Sequence, residues 1–432
     1  MTNRVLILGA GLVSKPLVDY LLEKTDHLLT VADIRPAQAE KVLNGSPRGT
    51  ARGLDVSRDS ELNALVSESD IVISLLPYTL HPIVARHCLD AGVHMLNASY
   101  VSDEMQALDE EARSKGILLL CELGLDPGID HMSAMRIIHD VRQRGGYVSS
   151  FRSVCGGLPA PEANDNPFGY KFSWSPLGVL MAGNNSARYQ QDGQPVKIEA
   201  AKLFDQSWNA EVDGMQFEAY PNRDSTPYAE LYGLERVHDL LRGTLRNRGW
   251  SKIMMTLKQL GLTNPEPHGL TSPFSPGDLV TAASGRPDAL AGIQEAIVKD
   301  ALVWLGLDDT EPREWTGGSP LECLAEIMSD RMGYGPGERD MVVLRNDFEA
   351  TFPDRHERIT SSLVDFGIPG GSSSMARTVS LPLAIAAKAI LAGEIELTGV
   401  RIPVDPRIYE PVLNELEVMN IKLVETTSIE PL

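Results

Sequence analysis

The sequence predicts the α/β class: a doubly wound parallel sheet, then a second α/β (α+β) domain with a small helical region. Three observations predict it. Short apolar runs alternate with helical periodicity through the first 130 residues, a glycine-bearing turn closes the first run, and the alternation stops after Gly128. A chain of 432 residues exceeds one ordinary core, so two or three domains are expected.

The apolar runs are 5–8, 28–32, 51–56, 71–76, 94–98 and 117–123. Between them lie stretches such as Val18, Leu21 and Leu22, or Ile83, Val84, His87 and Cys88, at helical spacing. Strand and helix in alternation make βαβ units, and six strands complete a doubly wound sheet of Rossmann type. Such sheets bind ligands beyond the carboxyl ends of their strands. The runs end there in Gly9-Ala10-Gly11, Asp33, Asp55-Val56, Ser74 to Tyr78, Ser99-Tyr100 and Leu123 to Gly128, a concentration of polar and turn-forming residues.

The stretch ILGAGLVSKP ends a strand, opens a helix and has an acidic residue about 20 positions on, as a dinucleotide fingerprint requires. Gly9 allows the tight turn, and Gly11 lets backbone approach a pyrophosphate held by helix N–H groups. Ser14 stands at the third glycine position, small enough for helix–strand packing and with a hydroxyl in reach of a phosphate. Asp33 suits the two ribose hydroxyls of NAD and repels the 2′-phosphate of NADP, whereas Arg35 accommodates that phosphate. The cofactor reading is NAD or NADP, with Asp33 leaning to NAD.

The net charge of −20, from 39 Lys and Arg against 59 Asp and Glu, argues against nucleic acid or anionic membrane as a partner. An anionic substrate then needs local arginines. Arg152, Arg223, Arg242 and Arg246 are carboxylate-clamp candidates, because the guanidinium fork matches a carboxylate bidentately. Cys88, Cys121, Cys155 and Cys323 are far apart, which suggests neither a disulfide frame nor a metal site. No apolar run is read as long enough to span a membrane, and the first strand begins too early for a leader, so the expected location is the cytoplasm.

Residues 1–130 with about 392–432 are expected to form the nucleotide domain. Residues 131–391 form the substrate domain, with a helical subregion at about 230–320. The Pro- and Gly-rich stretch from Phe151 to Pro176 has little periodicity beyond its first strand, and long irregular segments are often functional. Segments 341–351 and 358–367 alternate as an antiparallel pair, which would allow pairing between subunits of a homodimer. Residues 374–391 are an Ala- and Leu-rich helix, and the tail from Val400 has a strand–helix–strand look that could return to the first domain.

The motifs GAGLVSKP, SLLPYTLH, NASYVS, GLDPGIDH, CGGLPAPEANDNPFGYKFSWSP, YPNRDSTPY and LRGTLR, in that order, resemble saccharopine reductase, the glutamate-forming saccharopine dehydrogenase family. The resemblance implies reversible NADP- or NAD-dependent oxidation of saccharopine to 2-aminoadipate 6-semialdehyde and glutamate, in lysine metabolism. It places cofactor contacts on Gly11, Leu12, Val13, Asp33, Asp55, Val56, Leu75, Ser99, Tyr100, Leu125, Asp126, Pro127 and Ser175. It places substrate contacts on Ser99, Tyr100, Asp126, Arg223, Gly243, Thr244 and Leu245. NADP-using relatives have an uncharged residue followed by Arg after the second strand, where this chain has Asp33-Ile34-Arg35.

Saccharopine carries three carboxylates and a secondary amine. Asp126 is placed to stabilise a cationic iminium beside the nicotinamide, although Asp-Pro-Gly is also a turn-former. Tyr100, Lys171 and Cys155 are candidates for the proton transfers, against the plainer reading of a lone Cys as a small buried hydrophobe. His131 reads as part of a helix cap. A related opine or carboxyalkyl-amine dehydrogenase with another amino donor, and a non-catalytic nucleotide-sensing protein, remain as alternatives.

Overall fold

The computed structural model describes residues 2–267 and 269–431. They form two compact units, Met1–Gly145 with Gly371–Leu423, and Gly146–Gly370 with Val424–Leu432. The strands in chain order are β1 (Arg4–Leu8), β2 (Leu28–Asp33), β3 (Gly49–Gly53), β4 (Ile71–Ser74), β5 (His94–Asn97) and β6 (Leu118–Leu120) in the first unit. In the second come β7 (Tyr147–Pro159), β8 (Ala187–Gln191), β9 (Gln194–Ile198), β10 (Trp208–Val212), β11 (Met215–Pro221), β12 (Asp239–Arg246), β13 (Asp340–Thr351) and β14 (Arg355–Phe366). The chain then returns to the first unit with β15 (Gly399–Arg401) and ends in the second with β16 (Val424–Pro431).

The first sheet has seven strands in the order β15-β6-β5-β4-β1-β2-β3, all pairs parallel. Its central strands are near-continuous apolar runs because helices cover both faces. Leu6, Leu8, Val72 and Met95 lie in one buried cluster with Val84 and Cys88 of the helix His81–Ala91. Strand order reverses between β1 and β4, the switch point where such sheets bind ligands.

Several expectations are corrected here. β3 spans Gly49–Gly53, not 51–56, so Asp55 and Val56 lie in the turn beyond it. β6 stops at Leu120, and Glu122 adopts a positive φ of 57°, which breaks the strand. The first unit extends past residue 130: the helix Ile129–Gln143 belongs to it and ends before Gly145, whose φ is 84°. The helix Ser374–Leu391 also belongs to the first unit, where it packs against the helix Ser14–Lys24. By length and hydropathy it would suffice to cross a membrane, contrary to the sequence reading, yet 78% of it is buried in this unit. Its apolar surface is core.

The second unit is built on a nine-stranded sheet with the path β10-β11-β12-β7-β13-β14-β16, and β8 pairs with β12 and β9. β13 lies between β7 and β14, and β14 between β13 and β16. Both edges of that hairpin are therefore occupied within the chain, which removes the suggestion that it pairs between subunits. The tail divides: β15 joins the first sheet as expected, but β16 pairs with β14 instead. Helices Trp250–Gln259, Pro276–Ser284, Ala296–Trp304 and Pro320–Arg331 make the helical part, their apolar faces sharing one core with Phe168, Tyr170 and Phe217.

Candidate functional site

The nucleotide loop runs from the end of β1 into the helix Ser14–Lys24. Gly9 has a φ of 98°, and a Cβ there would lie 3.2 Å from the Leu75 carbonyl oxygen, so both conformation and space require glycine. A Cβ at Gly11 would meet nothing within 4 Å, so this backbone is open to a ligand's close approach. Leu12 is 69% exposed at the loop tip, with Val13 half-buried beside it. Ser14 is fully buried, and its hydroxyl donates to the Gly11 carbonyl at 2.8 Å. That hydroxyl braces the loop from within, unlike the phosphate contact suggested by the sequence. An open glycine turn feeding a helix N-terminus fits a dinucleotide pyrophosphate.

Asp33 ends β2 and accepts two backbone N–H bonds, Ala10 to Oδ2 and Arg35 to Oδ1, each at 2.8 Å. It therefore ties the loop to the end of the second strand. Arg35 is exposed, and so is Arg52, which stands opposite Ala32 on β3. Asp55 is half-buried and accepts from Ser57 N and Oγ, and these bonds hold its carboxyl below the usual range.

The carboxyl ends of β4, β5 and β6 bring the polar residues together. The Tyr100 hydroxyl donates to Asp126 Oδ1 at 2.9 Å. Ser99 Oγ lies 3.0 Å from His81 Nε2, while His81 Nδ1 lies 3.1 Å from Ser74 Oγ. Burial pushes the His81 imidazole down to about 4, so it is neutral at ordinary pH. Leu125, Asp126 and Pro127 form a tight loop: Gly124 N donates to the Pro127 carbonyl at 2.9 Å, and Asp130 N to the Leu125 carbonyl at 3.1 Å.

In the second unit, LRGTLR lies on β12, paired in parallel with β7 and antiparallel with β11. Strand alternation places Arg242, Thr244 and Arg246 on one face and Gly243 and Leu245 on the other. Arg242 is buried, its guanidinium 4.5 Å from the Tyr228 ring centroid. Arg246 is 5% exposed, 4.9 Å from the Tyr170 ring and 5.4 Å from Trp250. Its NH1 donates to the Leu245 carbonyl, its Nε has no hydrogen-bond partner, and no carboxylate pairs with it among the described residues. Arg223 is exposed in the turn after β11 with a φ of 53°. Arg152, on β7, is exposed too.

Cys155 is buried on β7, opposite Leu344 and Thr244. Lys171 is buried as well. Burial opposes its charge, but Glu338 at 2.7 Å and Asp165 at 2.9 Å hold the ammonium above the ordinary lysine range. An ammonium so held is a poor proton acceptor. Ser175 caps the helix Pro176–Ala182, accepting from Gly178 N at 3.1 Å.

Sequence reasoning missed Glu122 and the pairing of His131. Glu122 Oε2 lies 2.8 Å from His131 Nε2, with both groups buried, and Glu122 Oε1 accepts from Val101 N at 3.0 Å. The available signal was one acidic residue inside the apolar run LLLCELGL.

An open glycine loop on a doubly wound sheet, with polar groups gathered at its carboxyl edge, defines the class: a dinucleotide-binding oxidoreductase. Residues 5–120 match the saccharopine dehydrogenase NADP binding domain, and residues 124–421 the saccharopine dehydrogenase C-terminal domain. The chain belongs to the saccharopine dehydrogenase family. It is 36% identical to the saccharopine dehydrogenase (NADP(+), L-glutamate-forming) of Schizosaccharomyces pombe, over 98% of each chain. It is 40% identical to the mitochondrial alpha-aminoadipic semialdehyde synthase of Bos taurus, over 99% of this chain and 48% of that one. The chain thus spans about half the length of that relative. A solved apo saccharopine dehydrogenase (L-Glu forming) from Saccharomyces cerevisiae superposes with a TM-score of 0.87 at 36% identity, covering 99% of this chain and 100% of the other.

Proposed function

We propose that the protein catalyses the reversible oxidation of saccharopine, with water, to 2-aminoadipate 6-semialdehyde and L-glutamate. The observation that carries this reading is the Tyr100–Asp126 hydrogen bond at the carboxyl edge of the nucleotide-binding sheet. The near full-length match to glutamate-forming saccharopine dehydrogenases supports it.

The cofactor is a nicotinamide dinucleotide, which supplies the hydride acceptor. Gly9, Gly11 and the helix beginning at Ser14 would hold its pyrophosphate. We read the preferred form as NADP, against the lean to NAD drawn from Asp33. The matching family domain is an NADP binding domain, and the fungal relatives carry NADP(+) in their names. Asp33 has a structural task in receiving Ala10 N and Arg35 N, and Arg35 and Arg52 are exposed cations for a 2′-phosphate.

Asp126 faces the positive charge that develops on the substrate nitrogen, and Tyr100 hydrogen-bonds that carboxylate and passes protons during imine hydrolysis. Arg246 is the carboxylate anchor: a buried guanidinium between two aromatic rings needs a counter-charge, and the substrate supplies one. Within the second unit Arg223 and Arg242 are further anchors, with Thr244 on the Arg242 face of β12, whereas Gly243 and Leu245 face the other way and are not assigned to substrate. Within the first unit Ser99 is a substrate contact. The mammalian relatives are named mitochondrial. For this chain the cytoplasm is the location we propose.

The test is a spectrophotometric assay of saccharopine with NADP and NAD, across pH. Reduction of the nicotinamide is expected, fastest at alkaline pH, where the secondary amine is neutral and releases hydride. No turnover with saccharopine but turnover with another opine would move the assignment to a sister dehydrogenase. Cofactor binding without any turnover would favour a nucleotide sensor.

A further inference from the structure

Glu122 and His131 are buried, and Glu122 bonds the backbone on either side of Tyr100. Glu122 is 4% exposed, His131 0% and Asp130 1%. Burying two carboxylates and an imidazole is unfavourable compared with apolar residues of the same volume, so stability alone does not explain them. Glu122 also carries a positive φ of 57°, a conformation an unbranched acidic residue adopts only when its surroundings impose it.

The contacts show what is imposed. Glu122 N donates to the Ser99 carbonyl at 3.0 Å, and Glu122 Oε1 accepts from Val101 N at 3.0 Å. Tyr100 is thus bracketed on both sides by one residue. On the other arm, Glu122 Oε2 lies within hydrogen-bond distance of His131 Nε2, at 2.8 Å. His131 opens the helix Ile129–Gln143, directly after the loop that bears Asp126. Its neighbour Asp130 accepts from Gly128 N at 2.6 Å, and Asp130 Oδ2 lies 3.8 Å from His131 Nδ1. At Gly128 a Cβ would come within 2.0 Å of the Gly124 carbonyl oxygen, so that loop has no slack.

We infer that the Glu122–His131 pair is a positioning device that sets the register between the Ser99-Tyr100-Val101 segment and the Asp126 loop, and so fixes the Tyr100 hydroxyl on Asp126. The inference rests on the proposed dehydrogenase reading. Misplacement of reacting groups by about 1 Å costs on the order of 100-fold in rate.

The experiment is a double-mutant cycle on the full chain, with saccharopine and NADP. Wild-type turnover is measured first, and its absence would reject the functional reading independently of this inference. Glu122→Gln keeps an acceptor for Val101 N and should retain kcat within about threefold, whereas Glu122→Ala should lower it about 100-fold with NADP affinity unchanged. In a Tyr100→Phe background the Glu122→Ala loss should shrink to less than about threefold, because the group being positioned is gone. Should Glu122→Ala fail to fold, Glu122→Asp takes its place. It keeps the charge, cannot reach both partners, and should lower kcat at least about tenfold. The inference is overturned if Gln is as damaging as Ala, if the losses multiply in the Tyr100→Phe background, or if Asp leaves kcat at the wild-type level.

Discussion

Tyr100 and Asp126 come from the ends of different strands, yet the phenol donates to the carboxylate at 2.9 Å. In the proposed reaction the phenol positions that carboxylate and moves protons with it. Tyr100→Phe removes the donor and keeps the ring. We expect kcat to fall by about 100-fold or more with cofactor affinity unchanged, in the range for losing a positioned acid–base group. Stopped-flow turnover together with NADP titration checks this, and near-normal kcat would reduce the pair to a loop fastening.

Arg246 makes a two-sided prediction. A buried guanidinium without a carboxylate partner costs stability, so Arg246→Met should leave Tm unchanged or raise it. The same change should lower kcat/KM for saccharopine by about 2–5 kcal/mol, roughly 30-fold to several-thousand-fold. Arg223→Met, at an exposed turn, should lower kcat/KM less. Calorimetry and steady-state kinetics on the two variants decide it. A destabilised Arg246→Met with normal saccharopine kinetics would make this arginine structural.

Cofactor choice divides between Arg35 and Asp33. Arg35→Ala should weaken NADP use by about 1.5–3 kcal/mol, a loss of roughly 10-fold to 150-fold, and leave NAD use unchanged. Asp33→Ala should weaken both cofactors, because Ala10 N loses its acceptor. Specificity constants for both cofactors are the measurement. An Asp33→Ala enzyme improved with NADP alone would return that carboxylate to the role of a simple phosphate repeller.

The His81 imidazole is depressed to about 4 by burial, against 6.5 in an unfolded chain. Below pH 6.5 the unfolded chain takes up a proton that the folded protein refuses until pH nears 4. Stability is therefore lost as pH falls through that window, by about 2 kcal/mol between pH 7.5 and 5. His81→Gln removes this penalty while keeping polar contacts to Ser74 and Ser99. Urea unfolding at pH 7.5 and 5.0 should show the variant losing less stability than wild type. Equal losses would mean that His81 is not the titrating group.

The parallel sheet was legible because buried parallel strands are apolar throughout and their helices repeat at regular intervals. The glycine loop was legible because its residues are demanded locally. β8 to β11 were not: residues such as Arg188, Gln194 and Glu211 lie on half-exposed strands and leave little alternation. β16 could not be assigned to a sheet, because all of its residues are exposed and carry no face to match. Ser99, Tyr100 and Asp126 stood at strand ends, where chemistry was expected. The buried pairing of Glu122 with His131, and the aromatic seat of Arg246, depend on contacts that spacing does not encode.

The chain leaves the first unit at Gly145, returns at Gly371 and leaves again after Leu423. This has a consequence for biosynthesis. When the ribosome has made β1 to β6, the Rossmann sheet still lacks β15 at one edge and the helix that will cover the face packed by Ser14–Lys24. Apolar surface on that half-finished sheet stays uncovered while more than 200 further residues are translated. The second sheet waits longer, since β16 closes β14 only once Val424–Pro431 has been made. Neither unit is complete until the chain has returned to it, and each half-finished sheet is an aggregation hazard during that interval.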